Sequence, residues 1–208
     1  FLIINSDYNE YLHWLYAQHS GLNKQLYIEQ MRVRSESLFS VADFYSGNLR
    51  KLGHEAYDIY ANNEYMQKAW ARERGLRALD FSWRHCFHGG AVSWLKRFSC
   101  QRWFYNILTE QIKFFKPDIL LNQVFDGVNS IFLKEMKPYV KLLVGQIAAP
   151  FSKNNDFSCY DLIISAHPYL ADYFRQYGIS SELNRLGFES TILERLEETE
   201  RPISVSFV

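Results

Sequence analysis

The sequence predicts an α/β fold built on a doubly wound parallel sheet, and three observations carry that expectation. Strand-like and helix-like runs alternate along the chain, as they do where each parallel strand is followed by a crossover helix. The strand-like runs, such as Ile119-Leu120-Leu121, are unbroken apolar stretches rather than alternating ones, which fits strands covered on both faces. The chain has 208 residues, 48% of them hydrophobic and 17% aromatic, enough for one substantial core.

Taken in order, "FLIINS" reads as the first strand, and Asp7 to Lys24 as a polar loop. A helix is expected over roughly Tyr27 to Leu52, because Met31, Leu38, Val41, Tyr45, Leu49 and Leu52 recur at helical spacings in one stripe. Gly53 stands where a helix C-cap belongs, and "HEAYDIYANN" continues as the second strand. A short helix around Glu64 to Arg74 precedes an irregular region, from Leu76 to Cys100, that contains "RHCFHGG". The spacing then predicts a helix from Gln101 to Phe115, a third strand in "ILLNQVF", a helix over Asn129 to Met136 and a fourth strand over Lys141 to Gln146. A fifth strand covers Leu162 to Ala166, a helix Pro168 to Tyr177, and "SSELNRLGFES" carries the sixth.

Bulk chemistry removes several function classes. Basic and acidic residues balance at 23 each, against a dedicated surface for nucleic acid or anionic membrane. The three cysteines, Cys86, Cys100 and Cys159, lack CxxC spacing and read as reduced thiols of a cytoplasmic protein. No run approaches the roughly 18 apolar residues of a membrane span. Walker-type, GxGxxG, GxSxG, HExxH and EF-hand motifs are all missing from the sequence. His85, Cys86 and His88 fall close together but have no second ligand pair at zinc spacing, so no metal site is expected.

Ligands of open parallel sheets bind beyond the carboxyl ends of the strands, where strand order reverses. That polarity selects Asn5, Ser6, Asp7 and Tyr8 after the first strand, Asn62 and Asn63 after the second, and Gln123 and Asp126 after the third. Gln146 follows the fourth strand, His167 the fifth, and Gly187, Phe188 and Glu189 the sixth. His54, Asp118 and Asp161 precede their strands and fall on the opposite rim as turn and cap residues. Asp7, Asp126 and His167 each carry a group able to act as a general base. Asp126-Gly127 fits a helix N-cap or tight turn equally well, and His167 before Pro168 is equally explained as the residue that starts a helix. Tyr8, Tyr11, Trp14, Trp83 and Trp94 either stack on a ligand ring or fill the core.

"LRKLGHEAYDIYANNE" resembles the passage from first helix to second strand in GT-B glycosyltransferases. "FKPDILLNQ", "VKLLVGQIAAP", "YDLIISAHPYLADYFRQYGI" and "LNRLGFES" resemble the later part of the same Rossmann-like N-terminal domain, particularly in spore-maturation (CgeB-like) glycosyltransferases. The order of these weak motifs carries the resemblance, which spans the chain outside Leu76 to Cys100. It implies an acceptor-side domain over residues 1–202 and the opening strand of a nucleotide-sugar-binding domain at 203–208, in "ISVSFV". It also implies a metal-independent transferase of bacterial glycan biosynthesis, whose partners are a nucleotide-sugar donor, a glycan or other acceptor and its own second domain. No further cofactor is implied. Asp7, Asp126 and His167 would then be the catalytic candidates, with Asn5, Ser6, Tyr8, Asn62, Gln123, Gln146, Gly187 and Phe188 binding acceptor. A sugar-nucleotide epimerase of the same architecture, and a non-catalytic Rossmann-like binding module, are the alternatives.

Overall fold

The computed structural model describes residues 1–76, 93–149, 151, 155–185 and 187–196, and gives only the backbone over 93–103. The fold is α/β. Six parallel strands form one sheet: β1 (Leu2–Asn5), β2 (Tyr57–Tyr60), β3 (Ile119–Asn122), β4 (Leu142–Gln146), β5 (Leu162–Ser165) and β6 (Ser181–Leu183), in the order β2-β1-β3-β4-β5-β6. The helices are α1 (Asn9–Gln18), α2 (Tyr27–Glu36), α3 (Phe44–Lys51), α4 (Glu64–Glu73), α5 (Ser93–Phe115), α6 (Ser130–Met136), α7 (Pro168–Gln176) and α8 (Ser190–Arg195).

Helices cover both faces, as in a Rossmann-like doubly wound sheet. Leu2, Ile4, Leu120, Leu143 and Ile163 point to one face, against Trp70 of α4, Leu108 and Ile112 of α5, Phe132 of α6 and Phe174 of α7. Ile3, Leu121 and Val144 point to the other, where Tyr45 and Leu49 of α3 lie. Strand residues alternate between faces, so a run buried on both sides is largely apolar, as in Leu2-Ile3-Ile4. None of the described helices is long and apolar enough to cross a membrane.

Two expectations about the first third of the chain are corrected. The stretch expected to be a polar loop contains α1, whose Tyr11 and Leu15, four residues apart, are buried with Leu22. The long helix expected over Tyr27 to Leu52 is two helices, α2 and α3, separated at 37–43. Leu38, Ser40 and Ala42 there take left-handed backbone, with φ of 53°, 55° and 39°, which a helix cannot continue through. Arg34 donates to the carbonyl of Phe39 at 3.2 Å, and the Tyr60 hydroxyl to that of Ala42, fixing the break from beneath. Leu52 is 74% exposed and belongs to no buried stripe.

On the rim that precedes the strands, Asp118 pairs with Lys141 at 2.6 Å. Asp161 accepts from the Leu143 amide at 2.7 Å and pairs with Lys137. The "RHCFHGG" stretch, Trp83, the side chain of Trp94 and the terminal "ISVSFV" lie outside the described residues.

Candidate functional site

The chain leaves β1 toward β2 on one side and returns to β3 on the other, so strand order reverses between β1 and β3. A crevice must open there, because the segments that follow the two strands diverge to opposite faces. A cavity of about 520 Å³ occupies this position. Its walls are residues 6–10 after β1, Ala61-Asn62 after β2, Phe104 of α5, and residues 123–127 after β3. Six of the residues selected from sequence, Ser6, Asp7, Tyr8, Asn62, Gln123 and Asp126, meet around it.

Their roles divide sharply once their partners are traced. The Asp7 side chain is fully buried and ion-paired with the equally buried Arg34, whose Nη2 and Nε donate to it at 2.5 and 3.3 Å. The guanidinium also stacks over the Tyr60 ring, with Cζ 4.0 Å from the centroid. Burial works against the charge on Arg34, but the Asp7 hydrogen bonds and the surrounding phenols outweigh it and hold its pKa above the ordinary value. Asp7 is therefore an anchor for the segment after β1. Asn62 serves the same segment: its Oδ1 accepts from the Asp7 amide at 2.8 Å and its Nδ2 donates to the Asp7 carbonyl at 2.6 Å. Together these bonds hold Ser6 and Tyr8, both exposed, at the mouth of the cavity.

The opposite wall is set by β3 and β4. Asn122 is fully buried, donates to the Tyr160 hydroxyl at 2.7 Å and accepts from the Val124 amide at 3.1 Å. Gln123 donates to Gln146 at 2.7 Å, and Gln146 to the Tyr45 hydroxyl of α3 at 2.5 Å. Gln146 thus supports the wall through Gln123. The Phe125 ring lies over Gly145, where an added Cβ would stand 2.6 Å from its Cζ, so glycine permits this approach. Asp126 is exposed on the rim.

The other candidates lie elsewhere. Asn5 is buried below the cavity and donates to Asp58 at 2.9 Å. His167 stands at the N-terminus of α7, its Nε2 3.1 Å from the Ala148 carbonyl oxygen, and makes no side-chain cap bond. Gly187 and Phe188 are exposed after β6, and with His167 they do not line this cavity. Asn63 caps α4 by accepting from the Met66 amide at 3.2 Å, and Glu189 caps α8. Tyr11 is buried in the cluster beneath α1, and Trp14 is half exposed.

The chain matches no family model, no curated protein and no solved structure among those compared.

Sequence reasoning missed Glu10, Phe104, Phe125 and Arg34. Glu10 lies in the first turn of α1, and the four-residue spacing of Tyr11 and Leu15 was the signal for that helix. Arg34 meets Asp7 across 27 residues of sequence, and no local pattern announces such a pairing.

Chemically, the lining offers carboxylates, amides, hydroxyls and aromatic rings, and no Lys, Arg or His among its described residues. The α1 N-terminus faces this loop cluster, and Glu10 already places a negative charge in its first turn. A helix N-terminus favours an incoming anion through its free N–H groups and dipole. Here that favourable field is met by the protein's own carboxylate. The arrangement suits a neutral, hydroxyl-rich ligand.

Proposed function

We propose that this chain is the acceptor-side domain of a GT-B-type glycosyltransferase, with the acceptor hydroxyl seated in the cavity between β1 and β3. The observation that supports the reading is the lining. It sits where an open parallel sheet binds its ligand, yet among its described residues it has neither the cations nor the glycine-rich turn that a diphosphate requires. A sugar acceptor, by contrast, is held by amides, carboxylates and an aromatic face. In this reading the donor's diphosphate is held by a second domain.

Asp126 is the residue we assign as general base. It is exposed on the cavity rim and has no ion pair among the described residues, whereas the Asp7 carboxylate is closed off by Arg34. In an inverting transfer, the acceptor oxygen forms a bond to the anomeric carbon as the bond from that carbon to the diphosphate oxygen breaks. The leaving diphosphate keeps the bonding electron pair, and the hydroxyl proton passes to the Asp126 carboxylate. Ser6, Tyr8 and Gln123 would orient the acceptor.

The test is transfer from a panel of nucleotide sugars by the full-length protein. Asp126→Asn is expected to lower kcat by about 10²–10⁴-fold, the usual yield of general-base catalysis, with KM little changed and melting unaltered. Full activity in this variant removes Asp126 as the base. Absence of transfer from every nucleotide sugar overturns the transferase reading itself.

A further inference from the structure

The cavity between β1 and β3 has a neighbour. A second hollow of about 260 Å³ lies between the segment after β3 and the turn before β5, with Ser130, Asn155 and Phe157 in its walls. Phe125 and Asp126 line both hollows, so the two adjoin at this pair. The first hollow falls within the usual range of about 300–1,000 Å³ for a complete ligand site, and the second falls below it. The smaller hollow therefore makes most sense as a continuation of the larger.

Its chemistry matches. Neither hollow has Lys, Arg or His among its described lining residues. The Asp156 carboxylate is met by Lys134 at 2.6 Å, as that of Asp7 is by Arg34. Asn155 has a buried Nδ2 with no acceptor among the described residues, a donor that a ligand hydroxyl would satisfy. The Phe125 ring at the junction offers an apolar face of the kind that packs against a sugar ring.

We propose that the two hollows are consecutive subsites for one elongated, uncharged, polyhydroxylated ligand, an oligosaccharide of at least two rings that passes over Phe125 and Asp126. The proposal rests on the acceptor-side reading above and narrows it from any hydroxyl-bearing acceptor to an oligomeric one.

The experiment is a two-dimensional NMR titration of the 208-residue chain with glucose, N-acetylglucosamine, their linear dimers and tetramers, and uridine diphosphate as an anionic control. Oligomers are expected to bind at least about tenfold more tightly than monomers, equivalent to roughly 1.4 kcal/mol, and to shift residues 6–10, 123–127 and 155–160 together. Ser130→Phe, which fills the smaller hollow, should bring oligomer affinity down to the monomer's while leaving monomer affinity and melting unchanged. Equal affinity for monomer and oligomer, or shifts confined to the first hollow, overturns the two-subsite proposal and leaves the acceptor reading standing. Uridine diphosphate binding in the first hollow with no sugar binding overturns both, and no binding by any sugar overturns the proposal.

Discussion

Asp58 on β2 is a buried carboxylate, 5% exposed, that accepts from Asn5 at 2.9 Å and from the Ser46 hydroxyl of α3. Burial, opposed only in part by those two bonds, pushes its pKa up from 3.8 to about 6, with Asp43 adding to the rise and Arg50 reducing it. A carboxyl whose folded pKa is raised binds its proton more tightly folded than unfolded, so its contribution to stability falls as pH rises from about 4 to 6. The shift of roughly two units corresponds to about 3 kcal/mol. Asp58→Asn is expected to flatten this part of the stability profile, read as urea midpoints between pH 4 and 7.5; an unchanged slope would contradict the assignment. Burial likewise raises the pKa of Asp7, against the pull of Arg34, but its partner is a cation buried with it. Asp7→Ala strands the Arg34 guanidinium, and leaving one partner of a buried pair uncompensated costs about 3–5 kcal/mol. Loss of function in that variant should therefore track loss of folded protein in a urea titration. A variant that melts as the wild type does, yet is inactive, would return Asp7 to the catalytic candidates.

At the scale of elements, the hinge between α2 and α3 is the least regular described part of the chain. Ser40 is exposed and held at a φ of 55°, a conformation that costs an L-residue roughly 1–2 kcal/mol. Ser40→Gly removes that strain while adding freedom to the unfolded chain worth about 0.4–1 kcal/mol. The expected balance is neutral to about 1 kcal/mol stabilising, whereas Ser40→Val should destabilise by about 1 kcal/mol or more, both measured by thermal melting. This hinge also marks where sequence reading failed. Met31, Tyr45 and Leu49 keep helical spacing across it, so periodicity alone could not reveal the break. Its cause lies in the bonds that Arg34 and Tyr60 make to Phe39 and Ala42, and the Tyr60 bond comes from a strand 18 residues away. The strands were legible for the opposite reason. A parallel strand buried on two faces favours a continuous apolar run, as in Leu2-Ile3-Ile4 and Ile119-Leu120-Leu121. The buried Asp58 of β2 departs from it through its bonds to Asn5 and Ser46.

For the whole molecule, sheet polarity was the most productive piece of sequence reasoning. Because every strand runs the same way, the residues that follow strands share one rim, and six of the chosen residues meet in one cavity. Polarity does not give lateral position, however. His167, Gly187 and Phe188 share the rim but follow β5 and β6, away from the reversal between β1 and β3. Strand order is a property of long-range pairing that the order of motifs leaves open. Nor could residue type separate Asp7 from Asp126, since the difference between them is the Arg34 guanidinium, which is placed against Asp7.

The hydrogen that Gly145 carries in place of a side chain sets how low the Phe125 ring can sit. Any larger residue at 145 would have to displace the Phe125 ring, and would also crowd Tyr160, whose Cε1 would stand 3.0 Å from the added Cβ. Under the two-subsite proposal, this position on β4 would act as a gauge for how long a ligand the protein accepts. Among sequences that share this sheet, the size of the residue at that one place would sort the short-ligand forms from the long.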